Sequence, residues 1–202
     1  ISTTTDDARL LVGLEGVVLG GWDYKLGLST AESKADSLLG PGYLYQDSMI
    51  AALGSGQVNP WLLPGQTQTP AALKLLQDAS AEGQRLFGGK STMMQFDGTI
   101  SGEIMKLPAG ALAVAAGFDL RQESYQFSDG SLTTRPIYQA PFDAEFPKVK
   151  RDITAFFAEA AVPIVKDLEA TLAVRNDHYS DFGDTTNPKL SFKWTPVEQL
   201  LL

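Results

Sequence analysis

The 202-residue chain contains no cysteine and a single histidine, His178. That excludes disulfide frameworks, thiolate metal sites and cysteine nucleophiles, and it leaves a zinc site or a catalytic triad short of partners. No stretch approaches the roughly 18 consecutive apolar residues of a membrane-spanning helix, so a helical membrane protein is ruled out. Basic excess is missing too. With 24 acidic residues against 16 basic ones, and a formal charge of -8, the chain lacks the footprint of a nucleic-acid binder. An acidic soluble surface fits that charge equally well. The chain opens at Ile1 with no basic leader and no apolar segment behind it, which gives the expectation of a mature segment or a fragment.

What the sequence does have is alternation with a period of two. From Leu168 the even positions Leu168, Ala170, Leu172 and Val174 are apolar, and the odd positions Glu169, Thr171, Arg175 and Asp177 are polar. After a polar reversal at Ser180 to Pro188 the pattern resumes, with Leu190, Phe192 and Trp194 opposed to Lys189, Ser191 and Lys193. Such alternation marks half-buried antiparallel strands. It fits a soluble sandwich with its polar face in water, or an outer-membrane barrel with its apolar face in lipid and a wet lumen. Pattern alone does not choose between them.

Taken in order, residues 8–18 alternate, Leu19-Gly20-Gly21 reverses the chain, and Trp22, Tyr24, Leu26 and Leu28 carry the return strand. From Ala31 to Gly89 the alternation vanishes. Within that stretch Pro70 to Phe87 reads as one short helix, with Thr69 as its N-cap and Pro70 at its first position. A connection of this length between strands is generally functional, disordered or independently folded. Strand character returns at Met94, turns at Leu107-Pro108-Ala109-Gly110 and leaves through Leu112, Val114, Phe118 and Leu120. A second polar loop, Ser128 to Pro147, leads to a fifth strand from about Asp152. The connections run short, long, short, long, short, medium, short along the chain. That is the rule of an up-and-down barrel, with short periplasmic turns and long external loops. It predicts that the turns at Gly20-Gly21, Pro108-Ala109, Val165-Lys166 and Pro196-Val197 share one rim.

Arg175, Asp177, Tyr179, Ser180, Asp181, Phe182 and Gly183, followed by Thr186-Asn187-Pro188-Lys189 and by Trp194 and Pro196, resemble the barrel segment of TonB-dependent outer-membrane receptors. Leu107-Pro108-Ala109-Gly110 leading through Phe118 and Arg121 to Glu123-Ser124-Tyr125, and Glu159 with Val162-Pro163, are similar to further strands of the same family. The resemblance covers the C-terminal half of the chain well and the N-terminal half only in style. It implies an all-β fold over residues 1–202: an antiparallel up-and-down meander of about eight strands, part of a transmembrane β-barrel, with long external loops. It also implies a place in the bacterial outer membrane and energy-coupled uptake of a scarce solute of siderophore, cobalamin or oligosaccharide type. The implied partners are outer-membrane lipid, a small-molecule solute, and an inner-membrane TonB complex acting through a plug that matches nothing here. The alternative is a self-contained small β-barrel that binds without transport. Leu200 to Leu202 is too short for a spanning strand, which weighs against closure. A secreted carbohydrate-active β-enzyme would need a carboxylate pair that sequence does not assign.

No catalytic, cofactor or metal-binding set is expected. His178 lies among Asp177, Asp181 and Asp184, without the spacing of a calcium loop, and reads as part of a polar loop tip. The inward charges Asp119, Arg121, Glu123, Glu169, Arg175 and Asp177 could touch a passing solute or simply pair across strands. The expected solute contacts are Tyr43, Tyr45, Trp61 and Tyr138 in the loops, aided by Arg121 and Arg175. Packing within the loop is the simpler role for each aromatic residue. Leu112, Val114, Phe118, Leu168, Leu172, Val174, Phe192 and Trp194 are expected to share one exposed face.

Overall fold

Strands buried on one side only need apolar residues at every second position, and that spacing fixes which side each residue takes. The computed structural model describes residues 1–18, 20–129, 135–140 and 146–196. It contains β1 (Ser2–Val18), β2 (Trp22–Leu38), α1 (Gln46–Gly54), α2 (Pro70–Asp78), β3 (Arg85–Leu107), β4 (Gly110–Asp129), β5 (Phe146–Val165), β6 (Leu168–Tyr179) and β7 (Gly183–Trp194). The seven strands form one sheet in the order of the sequence, an antiparallel meander. The eighth strand expected at Leu200 to Leu202 falls outside the described residues.

Register puts even positions on one face and odd positions on the other. Leu172 stands opposite Ala160 of β5 and Leu190 of β7, and Leu168 stands opposite Trp194. On the same face Trp22 lies against Gly102, where a Cβ would come within 2.6 Å of its ring. Only glycine leaves room for the indole there. Phe96 and Phe118 meet at 5.2 Å beside Gly98. The apolar run of this face covers residues 112–120 of β4 and 156–164 of β5, close to the roughly 9–11 residues with which a tilted strand crosses a bilayer core. On the odd face stand Asp97, close over Gly27, and the charged residues of β4, β5 and β6.

Of the eight apolar residues expected on one exposed face, Leu172, Val174, Phe192 and Trp194 are exposed. Leu112, Val114, Phe118 and Leu168 are only half-exposed. Neighbours on the same face cover them, as Phe96 covers Phe118. None of the eight is buried beneath a second layer.

The described chain divides into two compact units, the first formed by residues 1–7, 33–91 and 125–149, the second by 8–32, 92–124 and 150–202. In the first unit Leu39, Ala81, Leu86 and Ile137 form a core with Tyr43 and Tyr45 packed against it, and Ala52, Val58 and Ala72 join α1 to α2. The second unit holds the apolar run and the reversals of β1–β2, β3–β4 and β5–β6.

Several sequence boundaries need correction. Strands β2 and β3 run on to Leu38 and back to Arg85, so the first long connection is 39–84. The β2 extension is polar or small on both faces up to its terminal Leu38, and in the β3 extension the apolar Leu86 and Phe87 are adjacent, so neither leaves a trace with a period of two. That connection carries two helices instead of one. The Pro70 helix stops at Asp78, and Arg85 to Phe87 already belongs to β3. Its start is as read: the Thr69 hydroxyl accepts from the Ala72 amide at 3.2 Å. Helix α1 has no side-chain cap and buries only Ala52, which is why it left no signature. The β5–β6 turn is Lys166-Asp167 rather than Val165-Lys166, because Asp167 takes the left-handed φ of 64° while Val165 still pairs with Leu168. The reversal after β6 is Ser180 to Phe182 and not Ser180 to Pro188, since Gly183 at φ 93° opens β7. In a meander the β1–β2, β3–β4 and β5–β6 turns leave the same strand ends, and the two long connections leave the others together with the β6–β7 reversal, which is as short as the turns where a medium connection was expected. The fourth turn, Pro196-Val197, falls partly outside the described residues.

Candidate functional site

Two arrangements could meet a solute, one in each unit. In the second unit six charged groups on the odd face of β4, β5 and β6 form one array. Arg121 reaches Asp119 at 2.8 Å and Glu123 at 3.5 Å, and Arg151 holds the other Glu123 oxygen at 2.6 Å. Arg175 grips Asp177 through Nε and Nη2, at 2.8 to 3.1 Å, and lies 3.7 Å from Asp119. Ala155, fully buried opposite Asp177, puts no bulk in this array. Asp119 and Asp177 are 7% and 6% exposed, unusual for carboxylates unless paired.

Three carboxylates meet three guanidinium groups, so the array is neutral as a whole. Arg121 and Arg175, expected as solute contacts, are both engaged by neighbours. The inward charges Asp119, Arg121, Glu123, Arg175 and Asp177 are paired, but Arg121 with Asp119 and Glu123 and Arg175 with Asp177 pair along one strand, and the contacts across strands are Arg151 with Glu123 and, at 3.7 Å, Arg175 with Asp119. Glu169 stands apart, opposite Lys193. Arg151 was missed by sequence reasoning, although its odd number on a strand beside Glu123 could have found it. His178 is exposed, with Nδ1 at 2.9 Å from Asp184. Among the described residues no group of three or more His, Asp or Glu could hold a metal ion.

In the first unit the two long connections are joined. Tyr45 bridges to Ile137, the Gln46 amide donates to the Pro136 carbonyl, and the Tyr138 amide donates to the Leu44 carbonyl at 2.9 Å. Arg135 lies over the Tyr45 ring at 3.7 Å and reaches Asp47 at 3.1 Å. Tyr43 and Tyr45 are therefore half-buried in the loop body. Trp61 is 84% exposed and Tyr138 is exposed as well. Hydrogen bonds hold the Trp61 loop, with Asn59 Oδ1 accepting from the Trp61 amide at 2.9 Å and Gln68 Nε2 donating to the Asn59 carbonyl at 2.6 Å.

The hydrogen bonds of Arg135 hold the Asp47 carboxyl below its ordinary value of 3.8. A depressed folded value means that this contribution is full above the unfolded pKa and is lost as pH falls through the folded one. Acidification into that range is expected to loosen residues 135–140, seen as faster hydrogen exchange after correction for intrinsic rates. Asp47→Asn should remove that component. An unchanged acid response in the variant would contradict the assignment.

An antiparallel meander with short turns at one set of strand ends, two long connections and one short reversal at the other, one apolar face and one charged face is the arrangement of a membrane β-barrel wall. The chain matches the family model described as TonB dependent receptor-like, beta-barrel, over residues 5–202, and it belongs to that family. No curated protein matches it. The family comprises receptors and transporters of the Gram-negative outer membrane, not enzymes.

Proposed function

We propose that residues 1–202 form part of the wall and external loops of an outer-membrane receptor that takes up a scarce solute with energy from an inner-membrane TonB complex. A plug elsewhere in the protein would make that connection. The observation that carries this reading is the division of the sheet: an apolar even face of bilayer height and an odd face on which charges are paired. The described order, with β1 and β7 each paired on one side only, favours a part of a larger wall over a small closed barrel. Lipid covers the even face and the solute travels along the odd one.

Recognition by this segment falls to the joined loops, where Trp61 and Tyr138 offer open aromatic surface while Tyr43 and Tyr45 hold the body together. Loops on a rigid scaffold are the usual carriers of binding. Deleting 39–84 from the intact receptor is expected to leave the barrel inserted and to weaken solute binding at least tenfold, with energised uptake falling alongside. If affinity and uptake both match the parent, recognition resides elsewhere.

A further inference from the structure

The first unit contains a recess of about 320 Å³ on the odd face of the strand ends. That is at the lower end of the roughly 300–1,000 Å³ typical of ligand pockets, room for about one ring. Its walls are aromatic: Phe87 and Phe127 meet at 5.7 Å, and Tyr125 stands beside them, itself 6.0 Å from Phe146. Its floor is hydroxylated, with Ser33 and Ser91 and a Thr3–Ser37 hydrogen bond of 2.9 Å. No charged side chain lines it. The nearby Arg85 directs its Nε to Asp36, which also holds Lys34 at 2.8 Å.

The geometry points to a subsite for one ring of a neutral, polyhydroxylated solute, a sugar residue. This rests on reading the chain as the wall of a solute receptor. A sugar ring has C–H faces that lie against aromatic faces and a rim of hydroxyls that donate and accept. Serine and threonine hydroxyls do the same in return. An anionic iron chelate placed here would lose hydration and gain no countercharge, a loss that buried polar contacts do not make good. The uncharged lining separates these two solutes by chemistry.

The recess can be closed without strain. A Cβ at Gly89 would lie 3.6 Å from the Tyr125 hydroxyl, an ordinary contact, so Gly89→Leu is expected to fold and to fill the space. Tyr125→Ala removes one wall. The intact receptor in detergent is titrated calorimetrically with neutral hexasaccharides cut from glucan, xylan and mannan, and with ferric citrate as the anionic probe. At least one hexasaccharide is expected to bind, and each variant to weaken it tenfold or more. Should Tyr125→Ala fail to fold, Gly89→Leu carries the comparison alone. The assignment is overturned if no hexasaccharide binds, if one binds the foldable variants as tightly as the parent, or if ferric citrate is the probe they lose. Energised uptake, measured in parallel, keeps the two readings apart. Uptake of ferric citrate without saccharide binding overturns the recess and leaves transport standing. Saccharide binding lost in the variants, with no energised uptake by the parent, supports the recess and overturns transport.

Discussion

Leu172→Arg is expected to cost roughly 2–4 kcal/mol of barrel stability in lipid, the range for a cation at the bilayer midplane on a lipid-facing strand. Leu172 is exposed on the even face between Ala160 and Leu190, within the apolar run and away from its polar ends. The neighbouring Thr171→Arg puts the same charge on the odd face, where water and the carboxylate of Glu169 are accessible, and should change stability by well under half as much. Urea titration of both variants of the intact receptor, refolded into vesicles, decides between them. Equal losses at 171 and 172 would mean that the even face is not the one in lipid.

The second large effect is Arg175→Ala. It strips Asp177 of its guanidinium partner and takes a cation from Asp119, leaving two buried carboxylates undercompensated at a cost of about 1–3 kcal/mol. Arg175→Lys should recover only part of this, since an ammonium cannot reproduce the two-nitrogen grip. Solute affinity of whatever receptor remains folded is expected to be unchanged. A variant that keeps its stability but loses affinity would instead make Arg175 a solute contact.

The membrane-level strands were readable because lipid on one side and water on the other force the two faces of a strand apart. Leu168 to Val174 and Leu112 to Leu120 carry that mark in every second letter. Outside the apolar run the same strands carry no such contrast between their two faces. Segments such as Ser33 to Ser37 and Lys90 to Thr92 then have no reason to alternate, and they passed for loop. Charge pairing was readable as a possibility: Arg121 with its strand neighbours Asp119 and Glu123, and Arg175 with Asp177, stand two positions apart, whereas the contacts across strands depend on register. Arg151 belongs with Glu123 only once β4 and β5 are aligned. The recess was illegible for the same reason: Ser37, Phe87 and Tyr125 lie on three different strands, and no local pattern in any one of them announces the other two. Helix α2 declared itself through Thr69 and Pro70, whereas α1 has no cap and a single buried residue to betray it.

The bridge between Tyr45 and Ile137 bears on how such receptors could be re-engineered or diverge. A graft that exchanges residues 39–84 alone would bring in a new loop without the bridged segment that edges it, and Arg135 would face a surface it was not matched to. The two connections are thus one heritable cassette interrupted by β3 and β4. Changes of specificity should arise through co-varying exchanges at both places, and a chimera is expected to fold properly only when 135–140 travels with its companion.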